Sequence, residues 1–162
     1  MTLTPLLRSA LIDVSTIMAP ARHDWWIIGS AALALHGFDP GPVGDVDVLL
    51  DPRDFQQVLA PLAIDSAAGG DADRFRSDMF ATWYGGALPV ELFAGFSVRE
   101  GQTWQQVALR RRQPVDLDGQ RLWVPPPAEL HALLLRFGRE KDLARAALIS
   151  PSGRFPSRSG TA

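Results

Sequence analysis

The chain has 162 residues, of which 46% are hydrophobic and 21% charged, as in one globular domain with a sizeable core. The absence of cysteine excludes disulfides and thiolate zinc sites and agrees with a reducing compartment. A net charge of −2 gives no overall attraction to nucleic acid or to an anionic membrane. No apolar run is long enough to span a membrane and no secretory signal is evident, so we expect a cytoplasmic protein without membrane contacts.

The N-terminal part of the chain predicts a helix, a strand and a second, short helix. Thr4-Pro5 is typical of a helix N-terminus, and the apolar residues after it recur at helical spacing. Residues 25–28 predict a strand, and residues 30–36 a short helix that ends at Gly37 in the left-handed conformation. His36 fits a packed or capping histidine better than a ligand.

The junction of that strand and helix is a candidate phosphate site. Gly29 would let a ligand approach the backbone, whose free N–H groups at a helix N-terminus favour an anion. Ser30 adds a hydroxyl that serves as N-cap or as a donor to phosphate. The simpler interpretation of Gly29, a tight turn, leaves the acids downstream unexplained.

Asp45 and Asp47 lie in residues 45–50, an apolar run that predicts a strand paired with the first one. Because side chains alternate along a strand, both carboxylates point to the same face. Neighbouring like charges raise each other's pKa unless a cation neutralises them, and Mg²⁺ or Mn²⁺ with oxygen ligands would do so. Alone, the pair also fits a solvated strand end.

The middle of the chain predicts a helix, a loop and a hairpin. Asp51-Pro52 starts a helix that Pro61 ends or kinks. Residues 67–73 predict a small, polar loop. Residues 74–84 and 88–93 predict two strands, joined at Gly85-Gly86.

The last third predicts a helix at 103–112, then a hairpin at 115–124 around Asp118-Gly119. Arg110 to Arg112, which end that helix, are more typical of a solvated face than of an RNA-binding patch.

Two helices follow, at 128–137 and 140–149, with Gly138 ending the first. Leu143, Ala146 and Ala147 have core spacing in the second helix. Residues 150–162 lack apolar periodicity and predict a disordered tail.

These motifs together resemble a known family. Gly29-Ser30 on a strand-to-helix turn, followed by Asp45-x-Asp47 on the next strand, is similar to the signature of the DNA polymerase β nucleotidyltransferase superfamily. The small-residue helix ending in His-Gly (31–37) and Gly-Arg-Glu-Lys-Asp (138–142) resemble the AbiEii-like toxin nucleotidyltransferases within it. The resemblance covers roughly residues 25–148.

The resemblance implies an α+β fold, with a small mixed β-sheet flanked by helices and a short helical C-terminal extension. The length of the chain and the order of its predicted elements favour one domain over residues 1–149, with a core at about 25–124 and C-terminal helices at 128–149. The tail at 150–162 lies outside this domain.

The resemblance also implies the parts of a catalytic site. The superfamily uses a third carboxylate on a strand adjacent to the two aspartates, and Glu91, in Val-Glu-Leu, fits that place. Asp45, Asp47 and Glu91 would then bind the metals and act in catalysis.

The triphosphate would lie on Gly29 and Ser30. Arg139 and Lys141 are further candidates for binding the nucleotide, or they pair with the acids beside them in the C-terminal helix.

The activity so implied is Mg²⁺-dependent transfer of a nucleoside monophosphate from an NTP to an acceptor hydroxyl on tRNA, a protein or a small molecule. A toxin role, with an antitoxin or regulator as partner, would follow from the AbiEii-like resemblance. Residues 38–44 depart from that group, because they lack its usual arginine and threonine and are one residue longer. The alternative is therefore a non-catalytic nucleotide-binding or partner-binding module that retains the fold.

Overall fold

A computed structural model describes residues 3–71 and 73–149, so the predicted tail at 150–162 lies outside the described residues. The helices are α1 (Pro5–Ile17), α2 (Gly29–Leu35), α3 (Phe55–Leu59), α4 (Pro127–Phe137) and α5 (Glu140–Leu148), with 3₁₀ turns at Pro52–Asp54 and Ala60–Leu62. The strands are β1 (Trp26–Ile28), β2 (Val46–Leu49), β3 (Ala67–Asp71), β4 (Phe75–Trp83), β5 (Val90–Glu100), β6 (Thr103–Gln106), β7 (Gln113–Leu117) and β8 (Gln120–Val124). The α+β class with a mixed sheet and C-terminal helices is confirmed.

The main sheet has the strand order β1-β2-β5-β4-β3, and β6 pairs with the far end of β5. Strand β2 pairs with β1, as predicted; the pairing is antiparallel, and β2 is parallel to β5. The register places Ile28 opposite Asp47 and Asp47 opposite Glu91. Three neighbouring strands therefore bring the candidate site to one level of the sheet.

Alternation along β2 and β5 separates the core from the site. Val46, Val48, Val90 and Leu92 are fully buried in the apolar core, together with residues of all five helices. Since successive side chains point to opposite faces, Asp47 and Glu91 lie on the other face. The apolar side chains on the core-facing side of each strand fix the register that aligns the acids.

Several predicted boundaries are confirmed together with their chemistry. The hydroxyl of Thr4 accepts a hydrogen bond from the backbone N–H of Leu7 at 3.2 Å, and Pro5 opens α1. Gly138 ends α4 with φ of +68°. Asp118 and Gly119 have φ of +50° and +80° in the turn between β7 and β8, as a two-residue hairpin of this type requires.

The predicted loop at 67–73 is wrong, because Ala67–Asp71 forms the edge strand β3. Its glycines make close pairing possible, since a Cβ on Gly69 would lie only 2.5 Å from the Cβ of Phe80.

The predicted helix at 103–112 is also wrong. Strand β5 continues to Glu100, and Gly101, with φ of +63°, turns the chain back so that residues 103–106 pair with β5. Backbone pairing with a neighbouring strand overrides the local helical pattern.

The inward face of the last helix differs from the prediction as well. Leu143 is 47% exposed and Ala147 is exposed, whereas Ala146 is buried as expected. Asp142 occupies the buried face because it is paired with Arg139. Within the described ranges, no helix combines the length and apolar character needed to cross a membrane.

Candidate functional site

The three predicted acids meet at one point of the sheet. Asp45 directly precedes β2, Asp47 lies within it, and Glu91 is the partner of Asp47 on β5. Each side chain is half-buried, and one carboxylate oxygen from each lies within 4.8 Å of the other two. The predicted convergence is confirmed, while the roles of these residues in catalysis stay predictions.

The electrostatics of the cluster favour a bound cation. Burial, the charge of Asp45, and a hydrogen bond to Glu91 together with its charge raise the pKa of Asp47 well above its usual range. The guanidinium of Arg139 acts in the opposite direction but does not outweigh them. A set of carboxylate oxygens so close together fits a hard divalent ion such as Mg²⁺ or Mn²⁺.

Gly29 lies directly against this cluster. It is the first residue of α2 and has φ of +69°, a conformation that favours glycine. A Cβ at this position would lie 3.0 Å from Oδ2 of Asp47. The turn therefore brings backbone close to the acids, as a site for a phosphate beside a metal would need.

Ser30 differs in part from expectation. The N-cap of α2 is Ile28, with no side-chain cap, so the predicted N-cap role of Ser30 is wrong. Ser30 lies in the first turn of the helix and is buried. Its role toward phosphate stays a prediction.

Arg139 is anchored at the edge of the same site. Its Nε donates to Oδ2 of Asp142 at 2.6 Å and its Nη2 to Oδ1 at 3.0 Å, and its guanidinium carbon lies 4.8 Å from the ring centre of Phe75. The pairing alternative therefore holds for Arg139, which also lines the cavity beside the acids. Lys141 is exposed on α5 and is not among the residues that line this cavity.

A cavity of about 430 Å³ extends from Asp47 and Glu91. Its lining includes five phenylalanines, Phe75, Phe80, Phe93, Phe96 and Phe137. No sequence motif indicated that these residues would meet at the site. The alternation of apolar residues in β4 and β5 was visible, but the backbone at Gly95, with φ of +63°, interrupts this alternation so that Phe93 and Phe96 meet.

Other candidates are explained by structural contacts. Nε2 of His36 donates to the carbonyl oxygen of Pro125 at 2.7 Å, in agreement with a packed histidine. Arg112, at the end of the basic run, pairs with Asp24 at 2.8 Å, and its guanidinium carbon lies 3.6 Å from the ring centre of Trp123.

Searches against protein-family profiles and curated protein sequences found no match. Solved structures do match. A Thermotoga maritima protein described as a candidate nucleotidyltransferase aligns with a TM-score of 0.65 and 18% identity, over 80% of this chain and 83% of its own. An antigenic nucleotidyltransferase-like protein of Paracoccidioides brasiliensis aligns with a TM-score of 0.52 and 15% identity, over 90% and 74% respectively. The chain has a nucleotidyltransferase-type fold.

Proposed function

We propose that the protein is a metal-dependent nucleotidyltransferase that moves a nucleoside monophosphate from an NTP to an acceptor hydroxyl. The observation that carries this proposal is the meeting of Asp45, Asp47 and Glu91 within 4.8 Å on a sheet of nucleotidyltransferase type. Half-buried like charges destabilise a fold, so their clustering is best explained by chemistry that needs them.

The three acids would hold Mg²⁺ or Mn²⁺, which would neutralise charge on the phosphates and on the attacking oxygen. The backbone at Gly29 and Ser30 would position the triphosphate beside them. The acceptor oxygen attacks the α-phosphorus, the bond to the pyrophosphate breaks, and Glu91 takes the proton of the acceptor hydroxyl. Arg139, held by Asp142, adds a fixed positive charge beside the cavity.

We further propose that the protein acts as the toxin of a toxin–antitoxin or abortive-infection pair, as its resemblance to AbiEii-like proteins implies. A neighbouring gene for a small partner or a regulator would support this role. Co-expression and co-purification of the two products would test it, and a chain that slows growth without a neutralising neighbour would argue against the pair.

A second candidate is a binding module without catalysis. The segment at 38–44 carries this alternative, because it lacks the arginine and threonine of the resembling group. Such a module would still bind an NTP or a partner, but Asp47→Asn would change no reaction.

Transfer of radiolabel from α-labelled NTPs into total RNA, protein and small-molecule extracts tests the main proposal. We expect Mg²⁺-dependent labelling by the parent and its loss in Asp47→Asn. Asp65→Asn, which changes an exposed aspartate outside the cavity lining, is the matched control and should retain labelling. Parent and Asp47→Asn with equal labelling would disprove the assignment of the acids. A parent that binds Mg-NTP but labels none of these fractions would favour the binding module.

A further inference from the structure

The five phenylalanines that line the cavity form one continuous apolar surface, called here the aromatic wall: Phe75, Phe80, Phe93, Phe96 and Phe137. The ring centres of Phe93 and Phe96 lie 5.0 Å apart, and those of Phe75 and Phe137 5.1 Å apart, in edge-to-face contacts. Phe93, Phe96 and Phe137 are buried, whereas Phe75 and Phe80 remain partly exposed at the cavity. The exposed ring surface is available to a ligand.

The strand order gives the aromatic wall a defined side of the site. Gly29 follows β1, and Asp47 and Glu91 lie on β2 and β5, the next strands across the sheet. Phe80 lies on β4, directly opposite Phe93 of β5. The acids therefore separate the Gly29 turn from the aromatic wall.

Phosphoryl transfer places the attacking oxygen and the leaving group on opposite sides of the phosphorus. If the triphosphate lies at the Gly29 turn, as the proposed function requires, the leaving pyrophosphate is on the β1 side of the acids. The attacking hydroxyl then approaches from the β4 side, where the aromatic wall begins.

We propose that the aromatic wall binds the acceptor, and that this acceptor carries its hydroxyl on, or one carbon from, an uncharged aromatic ring. This inference rests on the proposed function. Edge-to-face and stacked contacts with phenylalanine favour a planar ring.

Two of the charged side chains that line the cavity already have partners within the protein. Arg139 is paired with Asp142, and the carboxylate of Asp71 accepts backbone N–H groups of Asp73, Arg74 and Phe75. In the reaction, the ring-borne oxygen forms the bond to the α-phosphorus, its proton passes to Glu91, and pyrophosphate leaves from the Gly29 side.

Binding of two neutral ring alcohols tests the inference without requiring turnover. Benzyl alcohol and N-acetyltyrosinamide are titrated into the full chain and followed by NMR, alone and with a non-hydrolysable ATP analogue plus Mg²⁺. We expect both probes to bind without competition from the nucleotide. Tighter binding of N-acetyltyrosinamide supports a protein side chain as the source of the ring, and tighter binding of benzyl alcohol supports a small molecule.

Phe80 offers a matched set of variants. Phe80→Leu keeps apolar volume but removes the ring, and should weaken probe binding by about five-fold, the scale of one aromatic contact. Phe80→Tyr keeps the ring and should bind like the parent. Phe38→Leu, which removes a buried ring outside the cavity, controls for loss of stability.

The outcomes separate this inference from the proposed function. Displacement of the probes by the nucleotide, or weaker nucleotide binding in Phe80→Leu, would assign the wall to the nucleobase and overturn the inference. Absence of probe binding with intact Mg-nucleotide binding would overturn the inference alone. A parent that binds no Mg-nucleotide would overturn the proposed function and, with it, the assignment of the ring to an acceptor.

Discussion

Gly29 and Asp47 are packed so closely that a Cβ on the glycine would lie 3.0 Å from Oδ2 of the aspartate. The same glycine has φ of +69°, so two independent features favour glycine at this position. The backbone conformation requires a residue without a Cβ penalty, and the carboxylate leaves little space for a side chain.

Gly29→Ala should therefore lower both stability and metal affinity. The positive φ costs about 1 kcal/mol for alanine, and the added methyl also displaces the carboxylate of Asp47. We expect a lower melting temperature and weaker Mn²⁺ binding, measured by thermal unfolding and by paramagnetic broadening.

Gly119→Ala is the matched control, because Gly119 has φ of +80° but no atom within 4 Å of the added Cβ. It should show the loss of stability with unchanged Mn²⁺ binding. Equal Mn²⁺ affinity in both variants and the parent would contradict a metal-linked role for Gly29.

His36 should make the fold sensitive to mild acid. Burial lowers the pKa of His36, while its hydrogen bond to Pro125 acts in the opposite direction. The unfolded chain takes up a proton near the ordinary pKa of about 6.5, whereas the folded chain does so only at lower pH. The contribution of neutral His36 to the free energy of unfolding should therefore be fully present above about pH 6.5. It should decrease as the pH falls toward the folded-state pKa.

His36→Gln keeps a donor for Pro125 but does not titrate in this range. Urea unfolding at intervals between pH 7.5 and 5 should give a smaller decrease for the variant than for the parent. A parallel decrease in the two proteins would exclude His36 as its source.

The contribution of Arg139 to stability should depend on its planar guanidinium and not on its charge alone. Arg139→Lys keeps the charge but loses the two-point contact with Asp142 and the stacking on Phe75. We expect a loss of about 1–2 kcal/mol in the free energy of unfolding, as for a hydrogen bond to a charged group. Chemical denaturation measures it.

Lys141→Ala, a change on the exposed side of the same helix, is the control and should stay within about 0.5 kcal/mol of the parent. If the two variants were equally stable, the contact between Arg139 and Asp142 would contribute nothing measurable. Nucleotide titrations of both variants would also test their predicted roles in binding.

Local signals in the sequence were sufficient for much of the fold. Thr4-Pro5, Asp118-Gly119 and Gly138 each specify a cap or a turn through their own backbone chemistry, and the structure has them as predicted. The alternation of valines with Asp47 likewise predicted the shared face of the acids. Such features depend on residues within a few positions of one another.

The errors arose where distant residues decide the local structure. Residues 67–71 pair with β4 although two glycines weaken their strand propensity, and residues 103–106 pair with a β5 that is longer than predicted. The aromatic wall depends on the positive φ of Gly95 and on the end of α4, which brings Phe137 against Phe75. No pattern within one segment of the chain contains that information.

A comparison of Asp47 with Asp142 tests whether Asp47 serves a metal or the fold. Both aspartates are shielded from solvent, but the charges beside them have opposite signs. Asp142 is 1% exposed and faces the guanidinium of Arg139, whereas Asp47 faces Asp45 and Glu91. Asparagine at either position removes one negative charge and retains the shape of the side chain. The two substitutions should therefore have opposite effects on stability in the absence of metal.

In EDTA at neutral pH, Asp47→Asn should be as stable as the parent or more so, since it relieves repulsion between like charges. Asp142→Asn should lose about 1–3 kcal/mol, because it leaves Arg139 without its anionic partner. Mg²⁺ should raise the melting temperature of the parent and of Asp142→Asn, but much less that of Asp47→Asn. Differential scanning calorimetry of the three proteins, with and without Mg²⁺, measures these differences in stability and melting temperature. A destabilised Asp47→Asn that still responds fully to Mg²⁺ would show that Asp47 supports the fold and not a metal.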